Sequence, residues 1–137
     1  MAFIVDASVV APWLLPDEAT VLTEALLDRA IAERPRAPDL LAHEIRSIVV
    51  RAVRRNRVAQ ADAAGLLRRF EQLGIVNAGP ADTLEAARLA FKHGLSAYDA
   101  AYLWLAVSEG SELATLDGML RKAAIAEGVN LLPPEAQ

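Results

Sequence analysis

Cysteine is absent from all 137 residues, so neither a disulfide framework nor a thiolate-ligated metal site is available. That composition suits a reducing cytoplasm, the expected location. Long apolar runs are missing as well. The longest uncharged stretches, such as residues 7–16, fall well short of the ~20 residues that a membrane-spanning helix requires. No basic leader precedes the apolar start of the chain, and Asp6 interrupts that run, so no signal peptide is expected. An excess of positive charge is also lacking. A formal net charge of −4 has the wrong sign for binding nucleic acid through bulk electrostatics. No Gly-x-Gly-x-x-Gly follows the first apolar run, which removes support for a dinucleotide-binding fold.

What is present points to one globular domain over residues 1–137, with 54% hydrophobic residues to build a core. The opening run Phe3-Ile4-Val5 reads as a strand buried on both faces of a parallel sheet. A short helix follows and is expected to end near Pro12. Trp13-Leu14-Leu15, between two prolines, is either core or an exposed apolar patch. Apolar spacing at Ala19, Leu22, Leu26 and Ala30 predicts a helix over 17–33. A very short strand at 36–39 leads to a helix over 40–55, with its inner stripe at Leu41, Ile45, Ile48, Val49 and Ala52.

Further helices are predicted over 59–73, 81–92, 96–107 and 119–127, and strands at 75–76, 113–116 and 129–132. The helix over 96–107 is apolar on nearly every turn and should be buried almost all round, with Tyr98, Tyr102 and Trp104 in the core. Strands alternating with helices or helix pairs predict an α/β fold: a three-layer α/β/α sandwich with a central, mostly parallel sheet.

Four acidic residues stand out. Asp6 and Asp117 each follow a short apolar strand, so both should project from the carboxyl edge of the sheet, where such folds bind ligands. Asp99 lies three residues after Ser96, and Glu44 lies just off the apolar stripe of its helix. Each has an ordinary reading. Asp6 and Asp117 suit N-caps, Asp99 suits a capping box with Ser96, and Glu44 suits a solvated helix face. Together they form a hard oxygen donor set of the kind that binds Mg²⁺ or Mn²⁺. Five arginines (Arg46, Arg51, Arg54, Arg55 and Arg57) fall in an acid-free stretch, a solvated face or a local phosphate-contacting patch. His43 and His93 read as surface or capping groups.

The series Phe3-Ile4-Val5-Asp6-Ala7-Ser8, Pro38-Asp39-Leu40-Leu41 leading to Glu44, Leu95-Ser96-Ala97-Tyr98-Asp99-Ala100-Ala101-Tyr102, and Ala114-Thr115-Leu116-Asp117 resembles a PIN domain. More narrowly, it is similar to the VapC-type toxins of prokaryotic toxin–antitoxin modules. The resemblance implies a PIN-like α/β/α fold and Mg²⁺- or Mn²⁺-dependent endoribonuclease activity. It places Asp6, Glu44, Asp99 and Asp117 on the family's metal-binding acidic quartet, and Thr115 on the hydroxyl position beside the last acid. It also implies an RNA substrate, a cognate antitoxin as partner, and a homodimer or toxin–antitoxin hetero-oligomer. Arg51, Arg54 and Arg55 are the candidate substrate contacts. Cleavage should leave 5′-phosphate and 3′-hydroxyl ends. The chain departs from the pattern at Arg46-Ser47, where a short polar residue such as asparagine is common.

Two rival readings follow from the same residues. A phosphatase with Asp6 as nucleophile would want a second aspartate two positions on, where Ser8 stands. The other rival is a catalytically silent PIN-like module that binds RNA or protein without cutting it.

Overall fold

Five two-residue strands pair in parallel in the order β3-β2-β1-β4-β5, in a computed structural model that describes residues 2–134. Met1, the start of the opening apolar run, lies outside the described residues. The chain runs β1 (Ile4–Val5), α1 (Ala7–Leu14), a 3₁₀ turn (Pro16–Glu18), α2 (Val21–Glu33), β2 (Arg36–Ala37), α3 (Leu41–Arg54) and α4 (Gln60–Gln72). It continues through β3 (Val76–Asn77), α5 (Thr83–His93), α6 (Ala97–Glu109), β4 (Leu113–Ala114), α7 (Gly118–Ala126) and β5 (Leu131–Leu132). Strand β1 sits in the middle of the sheet, with Ile4 in register with Arg36 on one side and Leu113 on the other.

Phe3, Ile4, Val5, Leu113 and Ala114 are completely buried, as strands covered on both faces must be. Helices α1 to α4 pack among themselves, and α5 to α7 do the same. The result is the α/β/α sandwich. The winding direction has one consequence for the site. The chain steps outward from β1 to β2 to β3, then α5 and α6 carry it back to β4 on the other side of β1. The order therefore reverses between β1 and β4, and the carboxyl ends of strands at such a reversal are where open α/β sheets bind ligands.

Three local expectations change. Helix α1 does not stop near Pro12 but continues through it to Leu14. An interior proline costs about 3 kcal/mol. Burying Trp13 and Leu14 beyond it returns roughly 1.5–3 kcal/mol each, so the helix persists. The Trp13 indole Nε1 also donates to the Thr23 carbonyl at 2.7 Å, pinning α1 to α2, so Trp13-Leu14-Leu15 belongs to the core.

The helix expected over 17–33 begins later. Residues Pro16–Glu18 form the 3₁₀ turn, and Thr20 and Thr23 cap α2 reciprocally. Ala19 and Leu22 are consequently exposed, and the inward positions are Thr23, Leu26 and Ala30. On α6, Tyr102 is core and Trp104 is half-buried, but Tyr98 is 66% exposed. Tyr98 occupies the first turn of α6, on its exposed side. That helix is thus not buried all round.

Candidate active site

The site is built where strands β1 and β4 end. Asp6 follows β1 directly and caps α1: its Oδ1 accepts from the Ser8 N–H at 3.1 Å and from the Ser8 hydroxyl at 2.6 Å. Its Oδ2 accepts from the Thr115 hydroxyl at 2.5 Å. Thr115 follows β4, and its Oγ1 in turn accepts from the Asp117 N–H at 3.1 Å. The Ser8 oxygen accepts from the Leu116 N–H at 2.8 Å. Two hydroxyls therefore tie the ends of β1 and β4 together around one carboxylate. Asp6 is 4% exposed and Thr115 wholly buried. Capping and a place at the sheet edge are not alternatives for Asp6; the same geometry supplies both.

The other acidic residues reach the same edge from helix starts. Asp117 caps α7, with Oδ2 accepting from the Leu120 N–H at 2.9 Å. The Asp99 N–H donates to the Ser96 hydroxyl at 3.1 Å. The reciprocal bond from the Asp99 carboxylate to the Ser96 N–H is not made among the described residues. The expected capping box is therefore half-formed. Glu44, in the first turn of α3, accepts from the Tyr102 hydroxyl at 2.7 Å. Each of these acids stands at a helix N-terminus, where the partial positive charge of the helix favours an anion.

Burial and mutual charge act on three of them together. Burial pushes Asp6 up to about 6, against the pull of Ser8 and Thr115, and the Asp99 charge adds to the rise. Burial raises Glu44 too, opposed by the Tyr102 hydroxyl and reinforced by Asp99. Asp99 is raised by burial and then by the Asp117 charge, with Ser96 pulling it back. Burial and the neighbouring acids, Glu44 first, hold the Tyr102 phenol far above its ordinary range, so it remains a donor. Asp99 is the common neighbour: its charge bears on Asp6 and on Glu44, and the Asp117 charge bears on it.

They are not clasped into a cage. Among the described residues, no three Asp, Glu, His or Cys side chains form a ready-made ligand shell. Mg²⁺ keeps several waters and is commonly held by one or two carboxylates plus phosphate oxygens. An all-oxygen set whose members repel one another fits such a partly hydrated hard cation.

The arginines separate. Arg51 and Arg55 line a cleft that also includes Ser8, Arg54 is exposed outside it, and Arg46 bonds the exposed His43. His93 is turned away, bonded with Lys92 to Glu127. Two residues near the site, Ser8 and Tyr102, are not among the candidates drawn from the sequence. Ser8 is detectable as a local turn, two residues after Asp6. Tyr102 lies three residues after Asp99 on the same face of α6, and that periodicity is its only signal. Replacing Tyr102 with phenylalanine is expected to slow the chemistry of this site roughly tenfold by freeing Glu44. The stability cost should be only about 1 kcal/mol. Rates at saturating Mn²⁺ beside a urea melt check this, and an unchanged rate would leave Tyr102 as packing alone.

Comparison with known proteins agrees with this architecture. The PIN domain family model matches residues 3–126. The chain is 33% identical over 125 residues to Ribonuclease VapC3 of Pyrobaculum aerophilum, covering 88% of this chain and 92% of that protein. The crystal structure of PAE2754 from the same organism matches with a TM-score of 0.73 at 25% identity, over 97% of this chain and 85% of that one. The chain belongs to the PIN-domain family, and within it to the VapC type.

Proposed function

We propose that this protein is a Mg²⁺- or Mn²⁺-dependent endoribonuclease, the toxin of a toxin–antitoxin pair with a cognate antitoxin as its protein partner. The observation that carries the reading is the buried Asp6 carboxylate, held by Ser8 and Thr115 beside the charges of Glu44, Asp99 and Asp117. One or two of Asp6, Asp99 and Asp117 would hold the divalent ion directly and the remainder through its waters, with Glu44 binding it or orienting a water. When bound, the ion lowers the pKa of water and neutralises charge on phosphoryl oxygens. Ser8 and Thr115 fix both oxygens of Asp6, so its orientation does not depend on the substrate. Tyr102 fixes Glu44 in the same way.

Water attacks phosphorus in line, the bond from phosphorus to the 3′ oxygen breaks, and that oxygen takes up a proton. The products carry 5′-phosphate and 3′-hydroxyl ends, and the ribose 2′-hydroxyl takes no part. Structured RNA incubated with Mn²⁺, followed by analysis of the cut ends, tests this. A 2′,3′-cyclic phosphate would contradict it. Cleavage that persists undiminished in Asp99→Asn would indicate a contaminating nuclease. Absence of cleavage across varied RNAs would favour the silent binding module.

A further inference from the structure

A cleft of about 350 Å³ opens beside Ser8, walled by Ile48, Arg51, Arg55, Arg57 and Glu18, with Ala7, Ala11 and Ala52 as its low floor. Its arginines are not equivalent. Arg57 donates to Asp17 at 2.9 Å and to Glu18 at 2.7 Å, so its charge is already neutralised by the 3₁₀ turn. Arg51 and Arg55 are exposed, and among the described residues no acid bonds either of them. They stand four residues apart, at the end of α3, so they share a face. Like charges at that spacing are mildly unfavourable in an isolated helix, and a bound anion would relieve the repulsion. Ser8, whose hydroxyl donates to Asp6, is part of the cleft lining.

We propose that this cleft is the track of a single RNA strand beside the scissile bond, with Arg51 and Arg55 each taking one backbone phosphate. The assignment rests on the ribonuclease reading above. Arg57 with Asp17 and Glu18 forms a wall rather than a phosphate site, and Arg54 lies outside the track. The small floor residues bring the strand close to α1. The cleft also accounts for how a chain with a net charge of −4 meets a polyanion: two uncompensated cations beside the site act locally, where the global field does not help.

The test separates this proposal from the nuclease reading by measuring binding without catalysis. Asp6→Asn, in EDTA, is titrated with a short fluorescent oligouridylate over a range of salt concentrations. Each lost phosphate contact on a single strand removes about 0.7 from the slope of log affinity against log salt, so adding R51Q and R55Q should lower the slope by about 1.4. R54Q with R68Q, which removes the same charge outside the cleft, should leave the slope nearly unmoved. Equal losses from both pairs would assign the effect to bulk charge and overturn the cleft. An unchanged slope for R51Q with R55Q, while octaglutamate still binds there, would assign the cleft to an acidic protein segment and also overturn the proposal. Loss of the slope as expected, in a wild-type chain that never cuts RNA, would uphold the strand track and sink the nuclease reading.

Discussion

Changing Asp6 to asparagine is expected to lower RNA cleavage by about three decades while raising the melting temperature of the metal-free protein. The first effect follows from losing one charged group at the centre of the site. Removing a single preorganised electrostatic contact costs on the order of 10²–10³ in rate, about 3–4 kcal/mol of transition-state stabilisation. Asp6 should lie at the upper end because Ser8 and Thr115 hold both its oxygens in place.

The second effect follows from burial. The Asp6 carboxyl is raised from 3.8 to about 6, so the folded protein holds its proton more tightly than the unfolded chain does. Stability from this group is therefore greatest below about pH 4, declines as pH rises to about 6, and stays reduced above that. At about 1.4 kcal/mol per unit, ionised Asp6 costs roughly 3 kcal/mol at neutral pH. Asparagine keeps an acceptor for Ser8, but its amide must face the Thr115 hydroxyl. The net gain should be about 1–2 kcal/mol, or roughly 3–6 °C at this chain length. Glu33 and Glu127, held low by ion pairs, shift stability in the opposite sense as pH falls. The difference between wild type and variant cancels them. Calorimetry in EDTA from pH 4 to pH 8 should show that difference shrinking through zero and reversing toward the acid end, where Asp6 is protonated and only the poorer fit of asparagine to Thr115 remains. A variant melting below wild type at neutral pH would mean that the buried charge is compensated by something other than a cation.

Saturating Mg²⁺ or Mn²⁺ should raise the melting temperature of the wild-type protein at pH 7.5 by roughly 8 °C. The size follows from linkage. A ligand at a hundred times its Kd, binding only the folded chain, adds about 2.7 kcal/mol, and a domain of this size gains about 3 °C per kcal/mol. Asp6, Glu44 and Asp99 are all raised by burial and by neighbouring carboxylates, so protons compete with the ion as pH falls. The metal-induced shift should fade through pH 6 and be small at pH 5. Asp99→Asn should reduce it at every pH. A melting curve indifferent to millimolar metal at pH 7.5 would remove the cation from the proposed function. It would leave the fold untouched.

Much of the architecture was legible because buried parallel strands are written as short apolar runs, and amphipathic helices carry their own period. Phe3-Ile4-Val5 and Leu113-Ala114 announce themselves in this way, and Gly94 in left-handed conformation ends α5 as its position suggests. The α/β/α class follows from their alternation. Legibility failed where a distant contact overrode a local rule. Pro12 should end a helix, but burial of Trp13 and Leu14 against α2 carries α1 through it. Tyr98 and Tyr102 are alike as residues on one apolar helix, yet one faces water and the other is 1% exposed beneath Glu44. In the candidate site, the acidic residues could be picked out as occupants of strand ends and helix starts. Of the hydroxyls that orient them, Thr115 was placed there only by the family resemblance, and Ser8 and Tyr102 were not picked out. Ser8 and Thr115 matter through bonds that span more than a hundred residues of chain.

By itself, then, the amino-acid order determined the layered class, the parallel sheet and the delivery of aspartates to its carboxyl edge, since periodicity and apolar runs are local properties that survive without knowledge of neighbours. Tertiary structure alone decided which hydroxyl holds which carboxylate, how far burial raises Asp6, and which arginines are left without an acid. Those properties depend on dielectric surroundings and on interatomic distance, and both are set by residues remote in the chain that folding brings alongside.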